Sequence, residues 1–209
     1  FKAGTAEPNI NNAKGVATLN MLKKLASLSN PDYLTHDSEA IKVEWESGKV
    51  ALMTLWASRS GTLLDDEGDA KITAATKLTG PATVGGGNIP AATLWWDGFT
   101  LAKNRSDSDA EATFIALAHA ASNKKMVADA ADQAVWLVEG FVPGPKSIGV
   151  IEAVKMGAKP YPMLPQMGLM HGALGSEIVE FLQGKESAEQ ALKDVEAAYI
   201  SKAKEQGFL

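Results

Sequence analysis

Apolar residues recur at helical spacing near the start of the chain. Val16, Leu19, Leu22 and Ala26 fall on one face, with Lys14, Lys23 and Lys24 mostly outside it, behind Asn9, Asn11 and Asn12 as candidate caps. This pattern predicts an amphipathic helix that Asn30 and Pro31 stop. A second short helix is predicted over 37–47, closed by Gly48. The run KVALMTLWA at 49–57 changes the period. It is continuous, apolar and β-prone, and it reads as an interior strand buried on both faces beneath helices. The fold class predicted is therefore α/β.

Further along, Asp65, Asp66, Glu67, Gly68 and Asp69 make an acidic turn, and PATVGGGNIP at 81–90 has the composition of a hinge or domain crossing. TLWWDGFTLAKN at 93–104 then reads as a strand. Ser108 with Glu111 predicts a capping box ahead of a helix that ends near Ser122. VPGPKS at 142–147 is a second cluster of breakers, so about 60 residues lie between two crossings. After the proline-rich KPYPMLPQM, one helix is predicted through Ile178, Val179 and Leu182 to Gly184. A long last helix follows a Ser187–Gln190 capping box and carries Leu192, Val195, Tyr199 and Ala203.

Composition narrows the possibilities. The chain has 209 residues, is 45% hydrophobic and carries a formal charge of -5, with its lysines scattered. There is no basic footprint for nucleic acid or an anionic membrane. The longest apolar runs fall far short of the roughly 20 residues that span a bilayer. With no cysteine, disulfides, thiol catalysis and thiolate metal sites are excluded. The chain begins at Phe1, so a processed or removed start is expected, and a lipid anchor there is compatible with it.

The catalytic inventory is thin. His36, His119 and His171 are the three histidines, and no nucleophile elbow, phosphate loop or dinucleotide fingerprint is present. The glycines at 85–87 run into Asn88-Ile89-Pro90 and cannot open a phosphate-cradling helix. The acidic turn lacks the spacing of a calcium loop. His119 reads as packed within an apolar helix and His36 as loop surface. His171 follows a loop holding Gln166, Met167 and Met170, a methionine-rich surface suited either to ligand contact or to core filling. No cofactor is expected.

Five tryptophans remain. Trp45 and Trp136 read as core. Trp56 ends the predicted buried strand just before Ser58 and Arg59, where open α/β sheets place a ligand crevice. Along the strand that follows residue 93, Trp95, Asp97, Phe99 and Leu101 share one face, and Trp96, Gly98 and Thr100 share the other. Adjacent indoles on a strand cannot enter one core, so at least one faces something else. An indole face beside a carboxylate and an arginine suits a neutral sugar, whose C–H patches pack on the ring while its hydroxyls donate to Asp and accept from Arg. The alternative is that one indole fills the core and the other caps a domain edge.

The succession WESGKVALMTLWA (45–57), LWWDGFTLAKNRSDSDAEATFIALAHAAS (94–122), FVPGPKSI (141–148), PMLPQMG (162–168) and LQGKESAEQALKDVEAAY (182–199) resembles the extracellular solute-binding proteins of carbohydrate ABC importers. That group includes maltose-binding protein. The resemblance spans essentially the whole chain but only the later half of a family member. It implies a periplasmic-binding-protein type II fold, two α/β lobes joined by crossing strands, with the first part of the N-terminal lobe absent. Residues 1–84 and 150–209 would form the C-terminal lobe, and 85–149 the hinge crossings plus a piece of the other. It also implies that the part at 92–142, without its sheet partners, exposes apolar surface.

Carried over residue by residue, the resemblance places Trp56, Trp96 and Asp97 in a sugar cleft, with Trp95 beside them; Arg59 joins them from the crevice expected after Trp56. The late stacking aromatic of the family falls near Met170 and His171, neither of them the usual residue. Pro145 stands where family members often have arginine. The function implied is capture of a neutral sugar, an α-glucoside or small oligosaccharide, in an interlobe cleft and delivery to a membrane permease, in the periplasm or outside the cell. The alternatives are a polyol-binding transporter component and a carbohydrate-active enzyme or its sugar-binding module. Hydrolysis would need two carboxylates flanking the cleft, and Asp97 has no evident second.

Overall fold

The computed structural model describes residues 1–65, 68–122, 124–136 and 139–209, with the backbone alone of Met126. Asp66 and Glu67, in the expected acidic turn, lie outside the described residues. Two compact units are present, one formed by Phe1–His36 with Pro162–Leu209, the other by Asp37–Tyr161.

The first unit is built from three helices, α1 (Ala13–Ala26), α8 (Met167–Leu182) and α9 (Ala188–Glu205). Asn12 caps α1 as its sequence predicts, its side-chain oxygen accepting from the N–H of Lys14 and Gly15. Gly184, at φ 79°, ends α8, and the Ser187 hydroxyl accepts from the Gln190 N–H to start α9. That is half of a capping box, because the Gln190 side chain instead donates to Asp194.

Down α9, Ala188, Ala191, Leu192, Val195, Tyr199 and Ala203 are all buried, a stripe at three- and four-residue spacing. Leu19 of α1 and Phe181 of α8 meet its first turns, and Met170 and Ala173 of α8 meet its later ones. Fully burying Val195 alone stabilises by about 1.5–3 kcal/mol. The N-terminal arm is fastened to the same helix. Glu196 accepts from the backbone N–H of both Ile10 and Asn11 at 2.9 Å, and the Tyr199 hydroxyl donates to the Ala6 carbonyl at 2.6 Å. Gly15 makes the close approach possible, since a Cβ there would stand 1.9 Å from the Ile10 carbonyl oxygen.

The second unit contains α2 (Ser38–Glu46), α3 (Ala57–Ser60), α4 (Ala70–Ala75), β1 (Thr93–Leu94), α5 (Asp107–Ser122), α6 (Lys124–Asp129), α7 (Ile148–Lys155) and β2 (Lys159–Pro160). Asp37 caps α2 and Gly48, at φ 73°, closes it, as expected. The Trp45 indole N–H donates to Thr76 at 2.9 Å, tying α2 to the end of α4. Trp136 is half-buried, with its N–H donating to the Ala130 carbonyl. Lys146 pairs with Asp65.

The expected α/β fold of two lobes is overturned. Of the described residues 52% are helical, and their one sheet is β1 beside β2, parallel, with Thr93 opposite Lys159 and Leu94 opposite Pro160. The 49–57 run forms no strand, and Leu52 is 91% exposed. An apolar β-prone run specifies an interior strand only where neighbouring strands satisfy its backbone on both sides. Among the described residues none flanks it. The strand expected from 93 onward stops after Leu94. The 81–90 segment folds back on itself, with Thr83 bridged to Pro90 and Gly85 and Gly86 at positive φ in the turn.

Three local expectations are also corrected. Ser106, not Ser108, caps α5, accepting from the Asp109 N–H at 3.2 Å. His119 is exposed, because α5 has no buried residue. The expected loop around Met167 and Met170 is the first turn of α8.

Candidate functional site

The adjacent indoles lie where the short parallel pairing ends. The Leu94 carbonyl accepts from the Tyr161 N–H at 2.8 Å, extending the register one step beyond Pro160. This draws the two following aromatic side chains together. Trp95 and Tyr161 stack with centroids 4.1 Å apart and planes at 21°. The Trp95 indole N–H donates to the Thr93 hydroxyl at 3.2 Å, which fixes the ring from its other end.

Trp96 has no such arrangement. It is 71% exposed and is followed by the exposed Asp97 and Gly98. Phe99 is equally exposed. The pair is thus split, one indole held by a ring stack and the other presented to solvent beside a carboxylate. A large apolar face adjacent to an acceptor can pack on the C–H side of a polar molecule while Asp97 accepts from its hydroxyls.

Trp56 stands at the N-cap of α3, its carbonyl accepting from Arg59 and Ser60, and is 65% exposed. One turn later, the Arg59 guanidinium donates to Glu39 at 2.7 Å, so its charge is compensated. Both α3 and β1 pack against α7. Gly149 of α7 faces α3, where a Cβ would meet the Ala57 Cβ at 3.4 Å, an ordinary van der Waals contact. Trp56 and the Trp95–Trp96–Asp97 sequence therefore leave two elements that rest on the same helix.

Met170 and His171 belong to the helical unit and part company there. Met170 is 3% exposed and packs with Val195 and Tyr199, while His171, the next residue around α8, is exposed.

Tyr161 was not among the residues that the sequence singles out. A signal for it exists. Pro160 and Pro162 flank it, and a residue before proline is held extended, as a strand-end aromatic requires. Among the described residues no group of three or more histidines and carboxylates is placed to hold a metal ion, and no helix is long and apolar enough to cross a membrane. Compared with known protein-family models and with curated proteins, the chain matches none.

Proposed function

We propose that this chain is the sugar-capturing component of an ABC importer. It takes a neutral sugar of α-glucoside or small-oligosaccharide type outside the cell or in the periplasm and passes it to a membrane permease, without catalysis. The reading joins the order of motifs in the sequence to the surface residues of the Asp37–Tyr161 unit, and it does not rely on a two-lobed frame. The observation that carries it is Trp96, an indole 71% exposed and directly followed by Asp97. Water is a poor partner for that ring, and a sugar face is a good one. The Trp95–Tyr161 stack supports the reading by holding the start of the segment in place, which lowers the ordering cost of binding.

Intrinsic tryptophan fluorescence and thermal melting against maltose, trehalose, sucrose, sorbitol and an unrelated amino acid test it. The expected result is a shift with one carbohydrate, because a ligand bound only by the folded state raises apparent stability. A response to sorbitol alone would move the substrate class to polyols. No response to any carbohydrate, or release of reducing sugar from an oligosaccharide, would overturn the proposal.

A further inference from the structure

An open groove lies between the first turns of α5 and the segment that leads into that helix from Trp96. Thr100, Leu101, Ala102, Arg105, Asp109 and Thr113 line a space of about 540 Å³, a size within the range of small-molecule sites. Its shape is set locally. The Arg105 N–H donates to the Ala102 carbonyl at 3.3 Å, and the Ser106 hydroxyl accepts from the Asp109 N–H at 3.2 Å, so the chain turns into the helix there. With the Asp109 N–H taken, contact with a ligand falls to side chains. Among the described residues neither the Arg105 guanidinium nor the Asp109 carboxylate has an ion-pair or hydrogen-bond partner in the protein. The Thr113 hydroxyl donates to the Asp109 carbonyl at 2.7 Å, which leaves its oxygen as an acceptor. Leu101, 39% exposed, supplies apolar surface beside them.

On the sugar reading of Trp96 and Asp97, we infer that this groove is a second subsite, filled by a further ring of a ligand whose first ring lies on the Trp96 indole. A guanidinium that donates, a carboxylate that accepts and an aliphatic side chain between them match a sugar ring, whose hydroxyls do both and whose C–H faces pack on carbon. Arg59, the arginine that the sequence sets beside the sugar, is already held by Glu39. Arg105 has no such partner and takes that part. Asp97 and Thr100 stand three positions apart, at most about 11 Å of chain, so one molecule can reach from the first residue to the groove. Trp96 and Asp97 are outside the groove's lining. A single ring on the indole therefore leaves the groove empty, and a chain of linked rings occupies both places.

Tryptophan fluorescence titration of the intact chain with glucose, maltose, maltotriose and maltotetraose reads the second subsite. Affinity is expected to rise with chain length. Arg105→Ala and Asp109→Asn should each weaken maltotetraose about tenfold, leave glucose unchanged, and keep the circular dichroism of the parent, since both side chains are exposed. Trp96→Ala should remove the response to every length. A response that Trp96→Ala abolishes but that Arg105→Ala and Asp109→Asn leave untouched overturns the second subsite while the sugar reading stands. Equal affinity for glucose and maltotetraose does the same. No response to any carbohydrate overturns both.

Discussion

Tyr161 lies nearly face to face with Trp95, 4.1 Å between ring centroids, across a parallel pairing only two residues long. A sheet so short has few backbone bonds, so the ring stack carries much of the contact that holds residue 95 to residue 161. Tyr161→Ala is therefore expected to loosen the start of the Trp96–Asp97 segment. Stacked aromatic pairs are worth about 0.5–1.5 kcal/mol, and the partial exposure of this one sets the lower end. Red-shifted tryptophan emission together with weaker sugar response would mark the loss. An unchanged spectrum would show that the backbone alone sets the geometry.

Trp96→Ala separates binding from stability. With 71% of the residue already in water, truncation should change unfolding free energy by no more than about 0.5 kcal/mol. Sugar-induced fluorescence change should nevertheless disappear, as it should in Asp97→Ala if the carboxylate accepts ligand hydroxyls. Urea melts and titrations on the same preparations read both quantities.

Burial raises the Tyr199 phenol above its ordinary value. Between the unfolded pKa near 10 and the higher folded one, the unfolded chain has released this proton while the folded chain keeps it. Its contribution is fully present below about pH 10 and is lost as pH rises through the folded value. Urea stability should thus fall on the alkaline side. Tyr199→Phe should cost about 1 kcal/mol at neutral pH, from the lost bond to the Ala6 carbonyl, and should flatten the alkaline decline.

Two glycine substitutions in the helical unit should differ in sign. A Cβ at Gly15 would meet the Ile10 carbonyl oxygen at 1.9 Å, whereas one at Gly172 has nothing within 4 Å. Gly15→Ala should lower stability by roughly 2–3 kcal/mol, the range of a backbone forced apart. Gly172→Ala should raise it by about 0.5–1 kcal/mol through the unfolded state. Equal effects in denaturant melts would contradict the packing around Ile10.

Helices bounded by caps were legible in the sequence. Asn12, Asp37, Ser187 and the glycines at 48 and 184 each act locally, within a turn of the residues they stop, so no distant information is needed to read them. The stripe on α9 was legible for the same reason. The 49–57 run was misread because burial of a strand is decided by neighbours far along the chain, and apolar composition does not say whether those neighbours exist. Ser106 was missed two residues ahead of Ser108, the residue to which the motif drew attention. At the candidate site, the strand alternation that separates Trp95 from Trp96 does not apply, because the strand ends at Leu94, and Tyr161 as the partner of Trp95 was not legible. That contact joins positions brought together only by the parallel register.

The fastening of the N-terminal arm to α9 has a temporal consequence. Ala6 and Tyr199 are separated by 193 positions, and Ile10 and Glu196 by 186. During synthesis residues 1–12 leave the ribosome long before α9, the helix that completes their packing. Closing a loop of that size costs about 4–5 kcal/mol of chain entropy, which no contact can offset until α9 is made. The earlier segment therefore waits for the later one, and a nascent chain halted before residue 188 would leave Leu19 and the rest of α1 without the surface they are shaped to cover.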